Sequence, residues 1–144
     1  MVRIATLGYD HVNLQCRDIE RSIRFYTEVL RLPLCRCDRN TAGEITFVSV
    51  QAGTAIVDLM PRPAYVPPPA PQAGMNHFAL EIAPCDAEQL AADLHAQGVE
   101  VYEGPVRRQG AKGMGFAVYL RDPDGHGIEL KQYDEGGQGE AFRP

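Results

Sequence analysis

The chain has 144 residues and a mass of 15.9 kDa, the size of one ordinary domain of roughly 100–200 residues. Hydrophobic residues at 44% and charged residues at 23% give a globular composition and argue against disorder. A net charge of −5 and a pI of about 5.3 argue against nucleic acid or an anionic membrane as the main partner, since both select basic surfaces.

The opening, Met1 to Tyr9, has no hydrophobic stretch leading to a small-residue cleavage site, so no signal peptide is expected. No apolar run approaches the roughly 18 residues of a membrane span. Cys16, Cys35, Cys37 and Cys85 lack the paired spacing of a zinc knuckle or a disulfide framework. They read as free thiols, and the expected compartment is a reducing cytoplasm.

From residue 10 onward the chain is written twice. Asp10-His-Val-Asn-Leu-Gln15 is echoed by Asn76-His-Phe-Ala-Leu-Glu81. In the first copy Asp18 caps a predicted helix over Ile19–Leu30, with Ile19, Ile23, Tyr26 and Leu30 on one stripe. Strands are predicted over Ile45–Val50 and Thr54–Met60. A proline-rich connector follows over 61–74, too rich in proline for a helix or central strand. In the second copy Asp86-Ala-Glu-Gln89 is a capping-box pattern, Leu90 and Leu94 continue the helix, and Gly98 stops it. Strands are predicted over Val99–Glu103, Phe116–Leu120 and Ile128–Tyr133, and the tail from Glu135 reads as frayed. The reading is α+β: two β-α-β-β-β modules, about 7–60 and 75–133, in a single domain over 1–144.

Side chains on a strand alternate faces. Val12 and Leu14 therefore point one way and His11 the other; Phe78 and Leu80 likewise oppose His77. Val57 and Leu59 flank Asp58, and Ile128 and Leu130 flank Glu129. His11, Asp58, His77 and Glu129 are thus all aimed away from the helix-covered core. Two imidazoles and two carboxylates from repeated strands suit a divalent metal: Zn, Ni, Fe(II), Mn or Co.

Other residues are weaker candidates. Val106 to Gly115 reads as a basic, glycine-rich loop in which Arg107, Arg108 and Lys112 bind an anionic substrate and the glycines permit closure as a lid. Asp122-Pro-Asp-Gly125 reads as a turn, with His126 on the surface. Glu44 and Glu81 are candidate bases without supporting spacing, and Tyr65 is a candidate pocket cover.

These residues resemble the vicinal oxygen chelate superfamily, which includes glyoxalase I, bleomycin-resistance proteins, extradiol dioxygenases and fosfomycin-resistance enzymes. The resemblance rests on Asp10-His11-Val12, Ser22 to Leu30, Asn76-His77-Phe-Ala-Leu80 and Asp122-Pro-Asp-Gly125-His-Gly-Ile-Glu129-Leu. It implies a cupped, barrel-like mixed sheet with helices outside and a divalent metal held by His11, Asp58, His77 and Glu129. It also implies a glyoxalase I-like lyase that isomerises or lyses a small carbonyl substrate through a metal-bound enediolate. In that chemistry Glu129 or Asp58 shuttles the proton. Two departures bear on the activity. Asp58 stands where glyoxalase I usually has glutamate or glutamine, and Gln15 stands where a bacterial glyoxalase I tends to have a glutathione-holding arginine. Without Asp58, the triad His11, His77 and Glu129 resembles an Fe(II) extradiol-type dioxygenase or a fosfomycin-resistance transferase or hydrolase. A metal-free, bleomycin-resistance-type binding protein is the alternative of another class. One module cannot cover both faces of its own sheet, so a second module, of the same chain or of another, shapes the small-molecule site, and a homodimer is expected.

Overall fold

The computed structural model describes residues 4–68 and 74–134 and divides into two compact units, Met1–Tyr65 and Val66–Pro144. Residues 69–73 of the connector and the tail from Glu135 lie outside the described residues.

In the first unit β1 (His11–Cys16) is followed by α1 (Ile19–Arg24), a π turn (Phe25–Val29), β2 (Leu34–Arg39), β3 (Ile45–Ala52) and β4 (Ala55–Pro61). The sheet order is β1-β4-β3-β2, with β1 parallel to β4 and the other pairs antiparallel. Burial alternates along β1, with Val12, Leu14 and Cys16 inside and His11, Asn13 and Gln15 outside. That is the period-two signature of a strand with one buried face.

The second unit repeats the plan. It comprises β5 (Phe78–Glu81), α2 (Ala87–Ala96), β6 (Glu100–Gly110), β7 (Gly113–Arg121) and β8 (Gly127–Tyr133). The order is β5-β8-β7-β6, again with the first pair parallel. These are two four-stranded sheets, and neither is closed into a barrel.

Asp18 and Asp86 cap their helices by accepting from the backbone N–H of Arg21 and Gln89, each at 3.0 Å. Gly98 ends α2 at φ 76°, a left-handed conformation that glycine adopts cheaply. The capping box is only half formed, because the Gln89 side chain donates forward to Asp93 instead of back to Asp86. The first helix is also not one α-helix to Leu30. Its N–H at Leu30 bonds the Phe25 carbonyl five residues back at 3.1 Å, which is π geometry. Adjacent Phe25 and Tyr26 are both buried there, their rings edge to face at 5.2 Å.

Two further segments depart from the sequence reading. β2 carries no apolar alternation and is exposed along nearly its whole length, as an edge strand can be. Val106 to Gly115 is a strand hairpin, not a lid: β6 and β7 pair from Glu100–Arg121 to Gly110–Gly113, leaving Ala111 and Lys112 as the turn. Its glycines serve close packing. A Cβ on Gly115 would meet the Gln132 carbonyl oxygen at 2.1 Å.

Candidate functional site

Each unit brings one histidine and one carboxylate together at the same register. In the first, Asp58 on β4 lies opposite Asn13 on parallel β1, two residues beyond His11. In the second, Glu129 on β8 lies opposite Ala79 on parallel β5, two residues beyond His77. Cross-strand partners share a face, so a histidine two positions back along the strand lies on the carboxylate's face. His77 Nε2 is 3.1 Å from Glu129 Oε2, and His11 Nε2 is 4.0 Å from Asp58 Oδ2. Both carboxylates are buried, whereas the His11 side chain is half exposed and His77 is a third exposed. Among the described residues no three His, Cys, Asp or Glu side chains gather as one metal-holding group. The four predicted ligands stand as two pairs, one in each unit.

The residue before each histidine fixes its ring. His11 Nδ1 is 2.5 Å from Asp10 Oδ1, and His77 Nδ1 is 2.7 Å from Asn76 Oδ1. An oxygen acceptor makes Nδ1 the donor, which leaves Nε2 facing the carboxylate. The bond to Asp10 raises the His11 pKa above its ordinary value by stabilising the imidazolium. Metal-bound histidines usually have their second nitrogen tied in this way. Imidazole nitrogen beside carboxylate oxygen is a donor set that borderline divalent metals accept.

A hydroxyl sits on the other side of each carboxylate, and these two residues were not found from the sequence. Ser49 on β3 lies directly opposite Asp58 and donates to its Oδ1 at 2.6 Å. Tyr119 on β7 lies directly opposite Glu129, which brings its hydroxyl beside that carboxylate. The Tyr119 ring also stands edge-on to His77 at 5.2 Å. Burial, and then the Glu129 charge, raise the Tyr119 pKa by disfavouring the phenolate. The available signal was a polar residue interrupting an apolar run, Val48-Ser49-Val50 and Val118-Tyr119-Leu120.

The predicted basic residues separate. Arg108 pairs with Glu103, and its charge acts on Tyr119, the cross-strand neighbour of Glu129. Arg107 pairs with Asp134 at 3.0 Å and Lys112 with Glu81 at 2.7 Å, both on the exposed surface. Lys131 is buried, donating to the Gly115 and Arg108 carbonyls, and burial lowers its pKa. Glu44 accepts from the Asn40 amide in the exposed turn before β3. Tyr65 donates its N–H to Arg62 in a turn after β4. The Asp122 carboxylate accepts from the N–H groups of Asp124 and His126, which holds the turn before β8. Cys16 is buried, the other three cysteines are exposed, and all four are free thiols. No helix among the described residues is long and apolar enough to cross a membrane.

Known proteins are similar to this chain in sequence and fold. Virulence protein STM3117 of Salmonella typhimurium is 32% identical over 126 residues, covering 86% of this chain and 83% of that protein. Its crystal structure matches with a TM-score of 0.61 at 27% identity, over 93% of this chain and all of that one. Glutathione transferase FosA of Serratia marcescens is 32% identical over 84% of this chain and 77% of its own. A probable lactoylglutathione lyase of Vibrio parahaemolyticus is 30% identical over 90% of this chain and 93% of its own. With residues 8–130 matching its family pattern, the chain belongs to the Glyoxalase/Bleomycin resistance protein/Dioxygenase superfamily.

Proposed function

We propose that the chain is a divalent-metal-dependent enzyme of the glyoxalase I type, acting on a small carbonyl substrate. One observation carries the reading. A histidine whose Nδ1 is tied to the preceding residue faces a buried carboxylate through Nε2, and this arrangement occurs twice at one register. Both pairs, His11 with Asp58 and His77 with Glu129, would hold the metal, and Zn, Ni, Fe(II), Mn and Co all suit them. When bound, such an ion polarises a carbonyl oxygen and acidifies the adjacent C–H. Glu129 takes that proton on a carboxylate oxygen and returns it to the neighbouring carbon, with Asp58 as its counterpart in the first unit. Arg108 acts on Tyr119, the cross-strand neighbour of Glu129, with Arg107 and Lys112 along the same hairpin for an acidic arm of the substrate. The relative named lactoylglutathione lyase supports this class of reaction, and the one named glutathione transferase FosA supports the second reading below.

Asp58 favours a second reading. Its Oδ2 stays 4.0 Å from His11, against 3.1 Å in the other pair, on a side chain one methylene shorter than that of Glu129. If it is not a ligand, His11, His77 and Glu129 form the two-histidine, one-carboxylate set of Fe(II) dioxygenases and fosfomycin enzymes. Reconstitution with each metal, aerobically and anaerobically, followed by hemithioacetal, catechol and epoxide substrates separates these readings. Metal-dependent turnover of the hemithioacetal is expected. Turnover of catechol or epoxide alone moves the assignment to the second reading, and absence of metal uptake moves it to a metal-free binding protein.

The proposal includes a homodimer, to be checked by light scattering against the 15.9 kDa chain mass. Mixing His11→Ala with His77→Ala chains then tests whether one site draws ligands from two chains, by restored metal uptake at a fraction of sites.

A further inference from the structure

We infer that Ser49 and Tyr119 are positioning residues whose hydroxyls hold the two carboxylates in the orientation that a metal ion would meet. The inference rests on the metal reading above and concerns residues that the ligand set does not include.

The two units agree in this feature more closely than in their residue types. Each carboxylate lies between a parallel strand that carries the histidine and an antiparallel strand that carries a hydroxyl. In both, the hydroxyl residue is the direct cross-strand partner, so its side chain emerges on the carboxylate's face. The lengths are matched. The short Asp58 is held by the short serine, and the longer Glu129 by tyrosine, whose hydroxyl stands at the far end of a ring. Both donors are buried, with Ser49 2% and Tyr119 6% exposed. A buried carboxylate without a donor is costly, and a donor on one side limits which way it turns.

Neither residue is explained by packing alone. Valines flank Ser49 in the core strand, yet its hydroxyl goes to Asp58 and not to a backbone carbonyl of its own strand. Tyr119 does two things at once, bringing its hydroxyl beside Glu129 across the strands and contacting His77 with its ring. The Tyr119→Phe change removes the first and keeps the second.

The test is competition of Zn(II) and Co(II) binding against a chromophoric chelator, with the Co(II) visible spectrum as a second readout. Ser49→Ala and Tyr119→Phe are each expected to weaken metal binding roughly 10–100-fold and to change the Co(II) bands. Ser49→Thr should restore binding, and Ser49→Ala should add nothing once Asp58→Ala is present. Wild-type affinity in Ser49→Ala and Tyr119→Phe, with binding lost in His77→Ala, would overturn the positioning role and leave the metal reading standing. Wild-type protein that takes up no metal, or binds equally well without His11 and His77, would overturn the metal reading and this inference with it. Should Ser49→Ala fail to fold, Tyr119→Phe retains the buried ring and carries the same comparison.

Discussion

His77 Nε2 lies 3.1 Å from Glu129 Oε2, while its Nδ1 is bonded to Asn76. The imidazole is therefore held at both nitrogens, with the buried Tyr119 ring edge-on to it. His11 repeats the relationship with Asp10 behind it and Asp58 ahead. Side chains held in this way contribute to a site far more than to folding.

His11→Ala and His77→Ala should each abolish tight metal binding. The loss should exceed the roughly 10–100-fold that removing a residue behind a ligand costs. Stability should change little in the variant of the half-exposed His11, as for surface substitutions generally. Circular dichroism and metal titration on the same samples check both halves. Full metal stoichiometry in either variant would remove that histidine from the ligand set.

Asp58→Ala separates the two functional readings. As a ligand, Asp58 takes metal affinity with it when removed; outside the ligand set, it leaves metal content unchanged. In either case the buried Ser49 hydroxyl loses its acceptor, so a stability cost of about 1–3 kcal/mol is expected. Asp58→Glu should keep metal, because one added methylene spans part of the 4.0 Å separation from His11.

Much of this arrangement is legible before any coordinates. The alternation of Val12, Leu14 and Cys16 with His11, Asn13 and Gln15 specifies the strand and its polar face. Asp18, Asp86 and Gly98 mark helix ends by their own hydrogen-bonding and conformational chemistry. What escapes is whatever depends on partners. β2 has no apolar pattern because it is an exposed edge, so only its ladder with β3 defines it. Arginine and glycine make Val106 to Gly115 read as a loop, although it pairs as a hairpin in which the approach of Gln132 requires a glycine at Gly115. Ser49 and Tyr119 escape for the same reason. Their place opposite Asp58 and Glu129 is a matter of register, which hydrophobic periodicity does not encode.

Asp10 gives His11 a pH dependence that can be measured. The hydrogen bond to Asp10 favours the imidazolium, so the His11 pKa lies above the ordinary 6.5. The stabilisation from this pair is therefore fully present below the ordinary value and fades as pH rises through the raised one. A proton competes with a metal for Nε2-side coordination, so metal uptake at His11 should fail as pH falls through that raised value. Asp10→Asn reproduces the neutral partner that His77 has in Asn76. It should move the His11 titration, followed by NMR in metal-free protein, to lower pH and extend metal uptake downward with it. An unchanged His11 titration would show that Asp10 does not set it.

Gly127 tests whether backbone contact holds the second pair in place. It begins β8, two residues before Glu129, where the chain passes the segment carrying His77. A Cβ there would meet the Asn76 carbonyl oxygen at 2.3 Å and the His77 Cβ at 3.1 Å. The first distance is too short for any side-chain carbon, and the obstructing atom is backbone, so the strands must move apart. Gly127→Ala is therefore expected to cost about 1–3 kcal/mol, as overpacking does. Because the displaced residue is His77, metal affinity should fall as well, although no ligand has been removed. Gly125→Ala provides the contrast. Its nearest neighbour is Pro67 at 4.0 Å, and its φ of 89° makes alanine strained for conformational reasons instead. Gly125→Ala should thus lower the melting temperature without a comparable loss of metal affinity. Equal affinity losses in the two variants would mean that general destabilisation, not displacement of His77, accounts for the effect.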